Sequence, residues 1–339
     1  MTDIERFIEK LPKAELHLHL EGTLEAELKL KLSHRNKIPL KQSSIEEIKE
    51  SYNFHDLASF LEVYYEGVEL LLHEQDFYDL CYQYLRKAAS QNVVYAEMFF
   101  DPQLHTRRGI SFETVIKGLI RARDDAMRDF HIYSQLIMCF IREMSFENAE
   151  ETLNASLPYK SEIIGIGLDS NEENNPPIKF LKVFQRARQL GYRLTCHCDL
   201  HQKNTTTHIR QALEDIGVER IDHGINILDD PELIKLALER NIPFTVCPFS
   251  NEIVYPGKAQ PEIRIMLDTG LKVTINSDDP AYMHCFYITE NFNLAQKGAS
   301  LTKKELVQIC RNSFEAAWIS EEKRNHYLEA LNSFASAYD

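Results

Sequence analysis

The sequence alternates between short apolar runs, rich in β-branched and aromatic residues, and longer amphipathic segments. Segments such as 177–190, 206–216 and 230–239 repeat apolar residues every three or four positions, which predicts helices with one buried face. Eight apolar runs separate these segments, at 14–20, 93–100, 132–141, 163–169, 193–199, 220–225, 242–249 and 272–279. Strands that alternate with helices form parallel sheets, and eight is the strand count of a TIM (β/α)8 barrel, so we predict an α/β protein of that class.

Two segments of the chain lie outside the repeating pattern of one strand followed by one helix. The connection from 21 to 92 is far longer than one crossover helix, and we predict that it forms extra helices over one barrel mouth. Its aromatic residues include Phe54, Phe60, Tyr64 and Tyr65. The helical pattern of 301–338 predicts a C-terminal pack against the barrel. Because no repeat or low-complexity linker divides the chain, we expect residues 1–339 to form a single domain.

Composition narrows the partners and the compartment. Of the 339 residues, 44% are hydrophobic and 27% are charged, which is ordinary for a globular protein. The net charge of −14 repels phosphate backbones and anionic lipids, so we expect neither nucleic acid nor membrane as a partner. The N-terminal residues lack the apolar core of a signal peptide, and the seven cysteines are an odd number. We therefore expect a cytoplasmic protein with reduced thiols.

Histidines and carboxylates follow four of the predicted strands at their C-terminal ends. The first, fifth, sixth and eighth strands end, respectively, in His17 and His19, His197 and Asp199, Asp222 and His223, and Asp278 and Asp279. In a TIM barrel the loops after the strands converge on one face, which is where active sites lie. We therefore expect these side chains to share one small volume.

The spacing of His17 and His19 predicts that both imidazoles point to one face of the first strand. Such a pair alone is more often buried with backbone partners than bound to a metal. A third histidine and an aspartate at other strand ends favour the metal, because unpaired polar groups inside a barrel are costly. Three imidazoles and one carboxylate oxygen suit Zn²⁺ or another late divalent metal.

The paired residues of the sixth and eighth strands require separate assignments. Strand alternation predicts that one of Asp222 and His223 faces the barrel centre and the other the helices. We assign the inner face to His223, as an imidazole that orients and deprotonates water. Of Asp278 and Asp279, one is expected to bind metal and the next to turn toward a substrate. Cys196 and Cys198 are expected to point away from His197 and to be buried without a chemical role.

Six motifs together resemble the adenosine and adenine deaminase family, most closely its adenine deaminase branch, over residues 11–282. They are KAELHLHLEGTLE, FFDPQLHTRRG, IIGIGLDSNE, RIDHG, TVCPFSN and INSDDPAY. The resemblance implies that zinc is held by His17, His19, His197 and Asp278. It also implies that His223 activates water, that Asp279 accepts a hydrogen bond at purine N7, and that Glu172 reaches the N3 and N9 side of the base.

One motif departs from the family. Members of the family carry an HAGE motif at the fifth strand. The glutamate of that motif, three residues after the histidine, protonates purine N1. In this chain Leu200 stands three residues after His197. Leucine cannot transfer a proton, and we assign that role to Asp199, with His201 and Glu172 as alternatives. An HCD sequence resembles the relatives that act on N6-substituted adenines, the cytokinin deaminase group.

These observations predict a zinc-dependent hydrolase that removes the 6-amino or 6-alkylamino group of a purine base, such as adenine or isopentenyladenine. At the position of Glu21, adenosine-directed relatives carry an aspartate that reaches ribose, and the longer glutamate favours a free base. The alternatives are an adenosine deaminase, an amidohydrolase that cleaves an amide or ester, and an inactive relative that binds purine. The expected partner is a small-molecule purine, and a homo-oligomer is compatible with the sequence.

Overall fold

The barrel consists of eight strands joined by helices. A computed structural model describes residues 1–52, 54, 57–198, 203–254, 256–257 and 259–338. The strands are β1 Lys13–Glu15, β2 Val93–Phe100, β3 Tyr133–Ile141, β4 Ile163–Asp169, β5 Arg193–Cys198, β6 Arg220–His223, β7 Pro243–Val246 and β8 Lys272–Ile275. They pair in parallel in the order of the chain. A parallel bridge between Leu18 and Asp278 links the chain after β1 to the chain after β8. The predicted TIM barrel is confirmed.

Helices cover the outside of the barrel and fill the long connections. They are α1 Asp3–Lys10, α2 Ala26–Asn36, α3 Ile45–Glu50, α4 Leu57–Val68, α5 Glu74–Ser90, α6 Pro102–Thr106, α7 Phe112–Phe130, α8 Phe146–Ser156, α9 Leu181–Gln189, α10 Thr205–Arg210, α11 Pro231–Glu239, α12 Pro248–Val254, α13 Ala259–Asp268, α14 Ile288–Gly298, α15 Lys303–Ala316 and α16 Glu321–Ser336. The extra helices predicted between the first two strands are α2 to α5, and the predicted C-terminal pack is α15 and α16. No described helix has the length and apolar character that crossing a bilayer requires.

Apolar side chains form two separate cores. The larger core lies between the strands and the surrounding helices, whereas a small one fills the barrel interior. The interior core consists of Phe99, Ile137, Cys139 and Trp318. Trp318 lies against Gly165 near the start of β4, where an added Cβ would come within 2.3 Å of the indole ring. The indole therefore lies at the base of the barrel, and polar residues occupy the opposite mouth.

Several predicted strands end earlier than the sequence pattern indicated. The strands β1, β6, β7 and β8 stop two to five residues before the predicted boundaries. His223 and Asp278 have φ angles of 57° and 66°, in the left-handed region that strands do not use. The chain therefore leaves strand geometry where these polar side chains are needed, and most of the predicted site residues lie in the turns just beyond the strands.

Candidate active site

Four buried side chains bring possible metal-ligand atoms together at the C-terminal mouth of the barrel. They are His17, His197, His223 and Asp278, and their ligand atoms all lie within 4.8 Å of one another. His17 Nε2 is 3.2 Å from Asp278 Oδ1. Residues 17, 197, 223 and 278 are brought together only because the strands before them are arranged around one barrel.

His19 also lies next to this cluster. Its Nε2 lies 3.0 Å from His197 Nε2 and 3.5 Å from Asp278 Oδ1. The structure thus brings together all four residues predicted as metal ligands, with His223 as a fifth neighbour. Asp278 is the shared centre of the cluster, since His17, His19 and His223 all approach its carboxylate.

The protonation states of the cluster fit a divalent cation. Burial lowers the pKa of His17, and burial together with the neighbouring histidines lowers the pKa of His197 well below its usual range. Burial opposes ionisation of Asp278, but the adjacent histidines outweigh it and lower the pKa of that carboxyl. His17 Nε2 is buried and has no hydrogen-bond partner among the described residues. Neutral imidazoles, an ionised carboxylate and an unpartnered nitrogen form a donor set that suits Zn²⁺.

His223 is oriented by a neighbour outside the cluster. Its Nδ1 lies 3.0 Å from Asn251 Oδ1, and its Nε2 lies 3.7 Å from Asp278 Oδ2. The contact with the amide oxygen places a proton on Nδ1, so that Nε2 carries the lone pair. His223 also lines the cavity described below, as expected for its predicted inner face.

The expectation that Asp222 faces the helices is wrong. Its carboxylate lies inside the barrel, where Thr195 Oγ1 and Thr245 Oγ1 each donate a hydrogen bond to it at 2.7 Å. It also lies 3.5 Å from His197 Nδ1. Both members of the pair face inward because the left-handed conformation of His223 breaks the strand alternation after Asp222.

A cavity of about 330 Å³ opens from this cluster toward the surface. One part of its wall is apolar, and the connection between β1 and β2 supplies much of it. The described residues of this part include Phe54, Phe60, Leu61, Tyr64 and Tyr65. The polar part includes His19, Asp101, Asp169, His197, His223, Asn251, Asp278 and Asp279. A cavity of this size with few polar groups is typical of a small-molecule site.

Two acidic residues of this wall were missed in the sequence analysis. Asp101 follows β2 and Asp169 ends β4, so the rule that selected the other strand ends would also have found them. Asp169 Oδ2 lies 3.5 Å from His19 Nδ1, on the side of the imidazole away from the cluster. Burial and neighbouring carboxylates raise the pKa of Asp101 well above its usual range, and burial raises the pKa of Asp169.

Asp279 lies at the cavity wall beside Gly22. A Cβ at residue 22 would lie 2.0 Å from Asp279 Oδ1, so only glycine permits this approach. Burial and the adjacent Asp278 raise the pKa of Asp279 well above its usual range. Its Oδ1 has no hydrogen-bond partner among the described residues, which leaves it available to a ligand.

Comparison with known proteins gives this geometry a family. The family model described as adenosine deaminase matches residues 12–334. The chain belongs to the adenosine deaminase family. An adenine deaminase of Acinetobacter baylyi is 46% identical over 327 residues, covering 96% of this chain and 98% of the relative. An adenine deaminase of Hahella chejuensis is 44% identical over 330 residues, covering 97% and 98%.

Solved structures agree with this family assignment. The adenine deaminase of Arthrobacter aurescens superposes with a TM-score of 0.92 at 39% identity, covering 96% of this chain and 99% of that one. An amidohydrolase from Burkholderia ambifaria with bound Zn gives a TM-score of 0.90 at 28% identity, covering 100% and 96%. The prediction of a hydrolytic deaminase is confirmed, and the chain is a purine deaminase of the adenosine deaminase family.

Glu21 lies beside the cavity but is not among its described lining residues. Its Oε1 accepts hydrogen bonds from His105 Nε2 at 2.8 Å and from the Asp101 N–H at 3.2 Å. Arg108 donates to His105 Nδ1 at 2.9 Å, which fixes the histidine proton on Nε2. Burial opposes ionisation of Glu21, but the bond from His105 outweighs it and lowers the pKa of the carboxyl. These contacts hold the side chain in place.

Glu172 is not among the described residues that line the cavity, and its predicted contact with the base stays a prediction. Glu172 is fully buried, with its Oε1 2.5 Å from His208 Nδ1 and 3.8 Å from Arg142 Nη1. His208 in α10 and Arg142 after β3 therefore hold the carboxylate of Glu172. Asp199, Leu200 and His201, which concern the predicted proton donor, lie outside the described residues. Cys196 and Cys198 are free and buried in the larger core, as expected.

Proposed function

We propose that this purine deaminase uses zinc to remove the 6-amino or 6-alkylamino group of a free purine base. The observation that carries the proposal is the cluster of histidines and Asp278 at the floor of the apolar-walled cavity. The relatives named adenine deaminase support adenine as a substrate.

His17, His19, His197 and Asp278 would hold the ion. The approach of His19 Nε2 to within 3.0 Å of His197 Nε2 and 3.5 Å of Asp278 Oδ1 favours it as the third imidazole over His223, whose Nε2 is 3.7 Å from Asp278 Oδ2. A divalent ion there would supply a more acidic water, since coordination lowers the pKa of water toward ~7. His223 and Asp279 then remain for proton transfer and for orientation of the substrate.

His223 takes a proton from the attacking water. Its Nε2 carries a lone pair and faces the cavity floor, while Asn251 fixes the ring from behind. Asp279 forms a hydrogen bond at purine N7, for which its unpartnered Oδ1 and its place in the cavity wall are suited. Asp199 donates a proton to N1, and this role rests on the sequence alone.

Contacts of Glu21 favour a base over a nucleoside. Oε1 is held by His105 and by the N–H of Asp101, so the longer glutamate stays in place and occupies part of the space that a ribose would need. The aromatic wall of Phe60, Tyr64 and Tyr65 favours an alkyl group on N6, because each CH₂ buried there contributes roughly 0.8 kcal/mol.

The test compares kcat/KM for adenine, N6-methyladenine, N6-isopentenyladenine and adenosine with zinc-loaded protein. We expect the N6-alkyladenines to be converted to hypoxanthine and amine at least as efficiently as adenine, and adenosine to be a poor substrate. A clear preference for adenosine would overturn the base assignment. Activity on adenine alone would overturn the proposal of an N6-alkyl substrate.

A further inference from the structure

Asp222 lies directly beneath the histidine cluster, on the side away from the cavity. Its carboxylate is fully buried. Asp222 Oδ1 lies 3.9 Å from His17 Nδ1, and Oδ2 lies 3.5 Å from His197 Nδ1. One carboxylate therefore faces the rear nitrogens of two imidazoles whose front nitrogens face the cluster.

A hydroxyl connects the carboxylate to His17. Thr245 Oγ1 lies 2.7 Å from Asp222 Oδ1 and 2.9 Å from His17 Nδ1. A carboxylate only accepts hydrogen bonds, so the single hydroxyl proton of Thr245 is donated to Asp222. The hydroxyl oxygen must then accept from His17 Nδ1–H, which leaves the lone pair of that imidazole on Nε2.

The guanidinium of Arg220 lies below the carboxylate of Asp222. Arg220 Nε lies 3.8 Å from Asp222 Oδ1, and Arg220 Nη1 donates to Glu97 Oε2 at 2.6 Å. Arg220 therefore lies between two buried carboxylates, of which Asp222 is the one that faces the imidazoles of the cluster.

We propose that Asp222 is a positioning residue for the metal site, which holds His17 and His197 in the tautomer whose Nε2 lone pairs face the ion. The inference rests on the proposed function, because it requires the metal. Carboxylates behind metal-bound histidines raise ligand basicity and fix ring orientation, and their loss costs roughly 10- to 100-fold in metal affinity.

Asp222→Asn tests this role with little change in shape. An amide NH₂ in that position donates where the carboxylate accepted, which favours a proton on the histidine Nε2 facing the metal. We expect zinc affinity, measured without substrate by competition with a chromophoric chelator, to fall by about 10- to 100-fold. We also expect the visible absorption of bound Co²⁺ to change, since it reports ligand geometry.

Glu97→Gln is the matched control, because it removes the other buried carboxylate that contacts Arg220 but does not touch a histidine of the cluster. Its zinc affinity should equal that of the unaltered protein. Equal affinity in Asp222→Asn, or an equal loss in Glu97→Gln, would overturn the inference. If the unaltered protein bound no zinc, the proposed function itself would fail.

If Asp222→Asn does not fold, substitutions of Thr245 test the positioning of His17 by Asp222. Thr245→Val removes the hydroxyl between His17 and Asp222, whereas Thr245→Ser retains it. We expect zinc affinity to fall in the valine variant and to stay near that of the unaltered protein in the serine variant. The same affinity in both variants would overturn the connection through Thr245.

Discussion

The two ends of the barrel interior differ in the partners of their buried carboxylates. At the base, Glu97 accepts hydrogen bonds from Arg220, Tyr95 and the Trp318 N–H, and the guanidinium lies 4.2 Å from the indole centroid. At the mouth, by contrast, described oxygen atoms of Asp101, Asp169 and Asp279 have no hydrogen-bond partner. No lysine or arginine is among the described residues that line the cavity.

This difference separates a structural polar cluster from a functional one. Buried polar atoms without partners cost free energy, so a fold retains them where a ligand completes their contacts. At the base, residues of the chain complete the contacts of the Glu97 carboxylate, and the Arg220 guanidinium, whose Nε and Nη2 have no hydrogen-bond partner among the described residues, lies against the Trp318 ring. At the mouth, the unpartnered oxygens belong to carboxylates around a cavity, which is the arrangement expected of a site that binds a cation and a substrate. Substitutions at the two ends should therefore have different effects.

The largest effect is expected from the histidine cluster. His17→Ala or Asp278→Ala removes a metal ligand, so both bound zinc and turnover of adenine should fall by several orders of magnitude. Zinc content by atomic absorption and initial rates check this expectation. Circular dichroism serves as the control for folding. Folded variants that retain full metal content and activity would show that the ligand assignment is wrong.

At the base, the expected effect is on stability. Glu97→Gln removes the nearer of the two carboxylates that pair with the buried guanidinium of Arg220, and we expect a loss of about 3–5 kcal/mol in the free energy of unfolding. Urea denaturation measures this loss. The kcat/KM of the folded fraction should stay near that of the unaltered protein. Replacing both partners, as in Glu97→Gln with Arg220→Met, should recover part of the stability. A drop in kcat/KM without a loss of stability would contradict the division between the two ends.

A smaller catalytic effect is expected at the proposed proton donor. Asp199→Asn retains the shape of the side chain but cannot donate a proton, so kcat for adenine should fall by about 10² or more. Glu172→Gln is the comparison, because its carboxylate contacts His208 instead of the described cavity wall. If Asp199→Asn were fully active while His201→Ala or Glu172→Gln abolished turnover, another residue would be the donor.

The smallest effect concerns Lys13, at the start of β1. Burial lowers its pKa to about 8, although its Nζ donates to the Leu11 and Gln91 carbonyl oxygens. Between pH 8 and about 10 the unfolded chain binds the proton that the folded chain has released, so Lys13 makes stability rise with pH there. Lys13→Met should remove about 1–3 kcal/mol of this rise. Urea denaturation of both proteins at pH 7.5 and 10 measures the difference, and identical pH dependence would contradict it.

The barrel could be predicted because its signal is local. Each strand is a short apolar run between turn-forming residues, and the runs at 93–100 and 163–169 match β2 and β4 residue for residue. The position of the histidine cluster follows from one further rule, that active sites lie at the C-terminal ends of barrel strands. The apolar runs and this rule were therefore sufficient to predict the fold and the grouping of the predicted metal ligands.

Side-chain directions in the turns could not be predicted in the same way. Strand alternation failed at Asp222 because His223 adopts a left-handed backbone conformation that the sequence pattern does not reveal. The contact of Glu172 with His208 was also not predicted, because His208 lies in α10 and is 36 residues away. The first case depends on a local backbone conformation and the second on a long-range contact, and hydrophobic periodicity reports neither of them.

Reconstitution of metal-free protein tests whether one zinc ion at the histidine cluster is required for deamination. The protein is stripped with a chelator, titrated with Zn²⁺, and assayed for conversion of adenine to hypoxanthine and ammonia at each step. We expect no activity without metal, a linear rise with added zinc and a plateau at one equivalent per chain, because the three histidines and Asp278 form a single site. Full adenine deamination by the metal-free protein, or a rise that continues to two equivalents, would contradict it.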